Sequence, residues 1–194
     1  MTYPLRSARI MALLLITSLL AACGFHLRGA ITGNSNFQQL AVSGQDTDYI
    51  RYFSRALERS GVSVSDLAPW RVNILRVERS ARQQGVAVGG FFEQRIAISV
   101  TYQLQTATDL PLFSAQTLTR ERFVTQNENA PNATESEQSI IFSELREELI
   151  TAMLRRLFSL SEAQLVSEAE KVEAAQRAKK QLESEAARQN QPEL

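Results

Sequence analysis

From Arg95 to Gln105 the chain reads RIAISVTYQLQ, and its alternation is unbroken. Ile96, Ile98, Val100, Tyr102 and Leu104 fall on one side, and Arg95, Ala97, Ser99, Thr101, Gln103 and Gln105 on the other. A period of two held this long predicts an antiparallel strand with one face in a core and the other wet or set against polar groups. Trp70 to Glu78 predicts a second strand, with Trp70, Val72 and Ile74 on one side. Its alternation slips at Leu75 and Val77, which implies a bulge or burial on both sides. Gly85, Gly89 and Gly90 mark a flexible connection between these two. Thr108-Asp109-Leu110-Pro111 turns the chain into a further strand, about Leu112 to Thr125, whose pattern is weaker. A short strand precedes them all, around Phe37 to Ser43.

Two segments carry helical spacing instead. Asp46 or Thr47 can cap a helix whose apolar face is Tyr49 or Ile50, Phe53, Ala56 and Leu57, with Arg51, Arg55, Glu58 and Arg59 opposite and Gly61 as its C′ residue. The second helix runs from about Ser136 to Phe158. Its stripe is Ile141, Leu145, Leu149, Ala152 or Met153, and Leu157, and Thr134 with Glu137 has the spacing of a capping box. From Ser161 the composition shifts to Ala, Glu, Gln, Lys and Arg, with too few apolar residues to make a face. Disorder or a solvated extension is expected there.

These elements predict an α+β domain: a mainly antiparallel four-stranded sheet with two helices packed on one face, in the order strand-helix-strand-strand-strand-helix. The expected organisation is 1–22 as a cleaved leader, 23–36 as a tether, 37–160 as the folded domain and 161–194 as a charged tail.

The leader changes the picture of where the domain works. Arg6 and Arg9 precede an apolar run from Ile10 to Leu20, followed by small residues Ala21 and Ala22. This is the tripartite form of an export signal. The run is about half the ~20 residues that a membrane-spanning helix needs, so cleavage is expected rather than anchoring through a helix. Leu20-Ala21-Ala22-Cys23 resembles the bacterial lipobox, with Cys23 as the site of S-diacylglycerol and N-acyl attachment. Plain secretory cleavage beside a free thiol is the competing reading, but Cys23 is the sole cysteine and sits where the cut belongs. Several acyl chains on one residue give stable attachment without a spanning helix. Gly24 follows Cys23, rather than the Asp that signals inner-membrane retention in enteric bacteria, which favours the outer membrane.

Formal charge is zero over the whole chain, and loss of the leader leaves 19 basic against 21 acidic residues. No global field draws a polyanion, and no nucleic-acid partner is expected. Catalytic candidates are equally sparse. His26 is the one histidine and lies in the tether. No cluster of His, Cys, Asp or Glu has metal-ligand spacing, GVAVGG does not lead a strand into a helix as a phosphate loop must, and no G-x-S-x-G elbow occurs. Neither an enzyme nor a cofactor is expected. The remaining signal is arginine: Arg71, Arg76, Arg79, Arg82, Arg95, Arg120 and Arg122 concentrate in the last three strands. They read either as a solvated sheet face balanced by Glu78, Glu93 and Glu121, or as an anion patch that grips phosphate in forked pairs.

Cys23-Gly24-Phe25-His26-Leu27-Arg28-Gly29, directly after the lipobox, resembles the mature start of the LPS-assembly lipoprotein family (LptE). The element order and domain length are similar over roughly residues 23–160, whereas 161–194 lie outside the resemblance. It implies an outer-membrane lipoprotein, anchored at Cys23, that plugs the LPS-translocon β-barrel at about one to one, assists its assembly and binds lipopolysaccharide during insertion. Arg95 is the best positional match to the family's basic ligand contacts, with Arg82, Arg120 and Arg122 as further candidates. The segment Asn127 to Thr134 carries no Lys or Arg. The alternative is a periplasmic lipoprotein adaptor of another envelope-assembly machine, and a lipid-anchored hydrolase is a third reading.

Overall fold

The computed structural model describes residues 37–127 and 131–189, with backbone alone at 86–88, 131–134 and 189. Cys23, His26 and the rest of the leader and tether lie outside the described residues. In chain order the elements are β1 (Gln39–Gly44), α1 (Thr47–Arg59), β2 (Ser63–Val64), β3 (Trp70–Val88), β4 (Phe91–Thr106), β5 (Gln116–Asn127), α2 (Pro131–Phe158) and α3 (Glu162–Gln189).

Both ends of α1 are set by local chemistry. Asp46 is the N-cap, and its carboxylate accepts from the Tyr49 amide at 2.8 Å. At the other end Val62 N–H donates to Leu57 C=O and Gly61 N–H to Glu58 C=O, each at 3.0 Å. That pair of bonds is a Schellman closure, and Gly61 supplies the positive φ of 86° that it requires. Tyr49, Phe53, Ala56 and Leu57 form the buried face.

The sheet differs from the four antiparallel strands that the pattern implies. It has five strands in the order β2-β1-β3-β4-β5, and it is mixed. β1 lies parallel to both β2 and β3, while β3-β4 and β4-β5 are antiparallel. The cause is α1, which carries the chain back along β1 so that the next strands start from the same end. β2 has two residues, too few for any periodicity to reveal.

The pair β3-β4 is longer than its apolar residues suggest. Trp70 faces Thr106 at one end and Val88 faces Phe91 at the other. Gly89 and Gly90, at φ 63° and 82°, are the two central residues of the turn. Two consecutive positive φ values match the twist of a two-residue hairpin, so the expected flexible connection is a tight turn. Pairing slips between Ile74 and Arg76, which resolves the broken alternation as a bulge and leaves Leu75 exposed. A second irregularity falls between Gln84 and Val88.

Helix α2 begins at Pro131, ahead of the expected capping box. Proline suits a first helical turn because its missing N–H would have no partner there. The stripe Ile141, Leu145, Leu149, Met153 and Leu157 is buried, joined by Ile150 and Leu154. Tyr49 of α1 donates its hydroxyl to the Met153 sulfur at 3.2 Å. The segment after Ser161 is a third helix, α3, where disorder or a solvated extension was expected; its first turns dock on the domain and the rest runs exposed. Leu165 is fully buried and Ala169 nearly so, both within the main core. Sequence periodicity misses this because only the first turns of α3 have anything to bury. No helix among the described residues is long and apolar enough to cross a membrane.

Candidate functional site

Register divides the arginines between two faces. Val72, Ile74, Ile96, Ile98, Val100, Tyr102, Leu104 and Leu118 point to the side covered by α1 and α2 and make the sheet's share of the core. On the opposite side β4 presents Arg95, Ala97, Ser99, Thr101 and Gln103, and β5 presents Thr117, Thr119, Glu121 and Phe123. No described helix packs on that second side. Its polar groups largely satisfy one another: Thr101 and Thr117 share a hydrogen bond at 2.9 Å, and Gln103 donates to the Phe113 carbonyl at 3.1 Å.

Arg82 and Arg95 lie directly across from each other on this bare face, towards the β3-β4 turn. Two guanidiniums in facing positions repel unless an anion intervenes. Glu121 of β5 neutralises Arg95, accepting from its Nε at 2.8 Å. Arg82 has no ion-pair partner among the described residues. Arg76 pairs with Glu78 at 3.0 Å, and Arg71 with Asp109. Phe91 and Phe123, both about half exposed, flank the same region. Phe123 faces Arg95 directly across the strand pair.

Arg120 and Arg122 belong to the other face. Arg122 is held by two carboxylates of α2, Glu144 and Glu148, the latter at 3.0 Å. Arg120 turns back on its own strand and donates to the Thr119 carbonyl at 2.9 Å. Arg79, on the helix side as well, reaches the N-cap Asp46 at 3.8 Å. The structure therefore brings Arg82 and Arg95 together and keeps Arg120 and Arg122 apart from them.

A polar layer that the sequence reading passed over closes the core near the hairpin. Gln94 and Gln126 are buried, and α2 satisfies both: Gln138 donates to Gln94 at 2.9 Å, and Gln126 donates to Glu137 at 3.2 Å. The signal was present, because Gln94 continues the buried phase of β4 one step beyond Ile96, where a polar side chain needs a specific partner. Between α1 and α2, the Arg146 guanidinium lies 3.6 Å from the centre of the Tyr52 ring, a cation–π stack that leaves Arg146 Nε without a hydrogen bond. Among the described residues no group of His, Cys, Asp and Glu could hold a metal ion.

The architecture is one carried by solved lipoprotein structures. A minor lipoprotein from Acinetobacter baumannii superposes with a TM-score of 0.51 at 20% identity, over 63% of this chain and 94% of its own. An uncharacterized lipoprotein B from Nitrosomonas europaea gives 0.59 at 17% identity, over 70% and 91%. The rare lipoprotein B from Shewanella oneidensis gives 0.50 at 17% identity, over 62% and 94%. At these identities the likeness is one of fold. The chain matches no family model and no curated protein.

Proposed function

We propose that this chain is an LptE-like lipoprotein, lipidated on Cys23 and held at the outer membrane, whose domain plugs the LPS-translocon β-barrel, assists its assembly and contacts lipopolysaccharide during insertion. The observation that carries the reading is the bare face of the sheet. A large barrel has a polar, water-filled interior, so a body enclosed by one needs a hydrogen-bonding skin. Ser99, Thr101, Gln103, Thr117 and Thr119 supply such a skin, and Arg95-Glu121 and Arg76-Glu78 cancel charge within it. The fold shared with solved lipoproteins and the lipobox before Cys23 support the same reading.

Lipopolysaccharide contact falls to Arg82 and Arg95 on the bare face, where one cation has no carboxylate and two phenylalanines stand beside the pair. Arg120 and Arg122 are weaker candidates, since Arg122 is already neutralised by α2. Catalysis has no place in this reading.

A photoreactive amino acid placed at Thr101 or Thr119 in cells tests the enclosure. The expected product is a crosslink to one large outer-membrane β-barrel, co-extracted near one to one. Crosslinks to periplasmic proteins alone would favour the envelope adaptor instead. Mass spectrometry of the processed N-terminus tests acylation of Cys23.

A further inference from the structure

A cavity of about 380 Å³ opens where β4 ends and α2 gives way to α3. Leu104, Phe113, Leu157 and Leu160 supply its apolar walls, and Arg156 stands at its rim. Its size falls within the range of ~300–1,000 Å³ common to small-molecule sites, and an apolar slot with one convergent cation is their usual chemistry. Arg156 meets only neutral side chains. It donates to Gln116 Oε1 at 3.3 Å, and its charge acts on the Tyr102 hydroxyl in the same cavity wall. Burial holds that phenol above its ordinary range against the pull of Arg156, so it stays neutral. The carbonyls at the end of α2 favour a cation here but carry only a partial charge. No carboxylate pairs with Arg156 among the described residues.

The position of the cavity narrows what enters it. Register places Gln39, Trp70, Thr106 and Gln116 at one end of the sheet, because Ala41 pairs with Arg71, Trp70 with Thr106 and Tyr102 with Gln116. The chain enters the domain at that end, and the β3-β4 turn is at the other. The 13 residues 24–36 that join Cys23 to the domain can extend to roughly 45 Å. Acylation of Cys23 would tether that end of the domain to a leaflet by no more than this length.

We propose that this cavity takes one acyl chain of an anionic phospholipid, with the lipid phosphate against the Arg156 guanidinium. The proposal rests on the function proposed above only for the anchoring leaflet as the source of the lipid. It is separate from the Arg82-Arg95 pair, which lies towards the far end of the hairpin. A neutral lipid would leave Arg156 without a counter-charge, and a soluble anion would leave the apolar walls wet.

Native mass spectrometry of the full chain, released from neutral detergent after adding phosphatidylglycerol or phosphatidylcholine, tests this. One phosphatidylglycerol should be retained per chain, in preference to phosphatidylcholine. Arg156→Glu should lower that retention about tenfold, in line with loss of a charge-assisted contact. Ser114→Trp, which fills the rim, should abolish it. Circular dichroism should show both variants folded, and Arg156→Glu lies on the surface, where folding does not depend on it. Equal retention of the two lipids, several adducts per chain, or retention unaffected by Arg156→Glu would overturn the proposal. Arg156→Glu should still co-extract with the barrel, so loss of the lipid and loss of the barrel are separable results.

Discussion

The two sides of β4 differ in what they are needed for. Ile96, Ile98, Val100 and Leu104 are buried beneath α1 and α2, and each such side chain contributes about 1.5–3 kcal/mol by leaving water. The other side, from Arg95 to Gln103, buries only the small Ala97 and otherwise contributes hydrogen bonds and ion pairs at partly exposed positions, where each contributes at most about 1 kcal/mol. Folding is thus carried by one face and leaves the other unconstrained. A face that does not have to hold the domain together can be shaped to fit something else, and period-two geometry keeps the two tasks on separate atoms of one strand.

The strongest way to break that division is to cut into the covered side. Leu149→Ala removes a fully buried side chain of α2 and should cost about 2–5 kcal/mol in urea unfolding. Thr119→Ala on the bare side should stay within about 0.5 kcal/mol. Comparable losses from both would show that the bare face supports the fold. Shortening α3 extends the same comparison along the chain. Truncation after Leu160 removes Leu165 from the core and should cost about 2–4 kcal/mol. Truncation after Gln176 removes mainly exposed turns and should change the midpoint by no more than about 0.5 kcal/mol in stability. Equal losses from the two cuts would place the stabilising contacts of α3 beyond Gln176 and reverse the assignment of the buried turns.

A third test uses pH and reads only the covered side. Burial raises the phenol of Tyr49 well above its ordinary 10.0, with Tyr102, Asp46 and Glu147 acting in the same direction and Arg146 against them. Burial raises Tyr102 too. A folded-state pKa above the unfolded one gives stability that is full below pH 10.0 and is lost as the unfolded chain ionises above it. The urea midpoint should therefore hold from neutral pH to about 9 and fall beyond 10, less steeply in Tyr49→Phe. A wild-type midpoint that is flat to pH 11 would mean these phenols are not in a dry core.

Much of this was legible because burial wrote itself into spacing. RIAISVTYQLQ gave both faces of β4, and Asp46, Phe53, Leu57 and Gly61 gave α1 with its caps. What escaped had no periodic mark. β2 is a pair of residues, the parallel placement of β1 follows from where α1 delivers the chain, and α3 buries two side chains and then runs through solvent. The arginines show the limit most clearly. Their positions in the strands were plain, but Arg82 and Arg122 differ in face by register across a bulge at Leu75, and no count along one strand predicts that. The N-terminal signal is of another kind: the lipobox proposed at Leu20 to Cys23 would be read by processing enzymes and not by the fold, so its mark is in the sequence alone.

The smallest expected effect separates those two arginines. Arg122 bridges β5 to Glu144 and Glu148 of α2 with its side chain about 38% exposed. Screening at that exposure leaves a cost of less than about 1 kcal/mol for Arg122→Ala, and added salt should shrink it. Arg82 bridges nothing, so Arg82→Ala should leave the midpoint unchanged, or raise it slightly by removing the charge facing Arg95. Lipopolysaccharide pull-down should give the opposite ranking, with Arg82→Ala losing binding and Arg122→Ala retaining it. Equal retention by both variants would return Arg82 to a solvated position on the sheet, and a stability loss confined to Arg82 would mean that the bare face holds a contact on which folding depends.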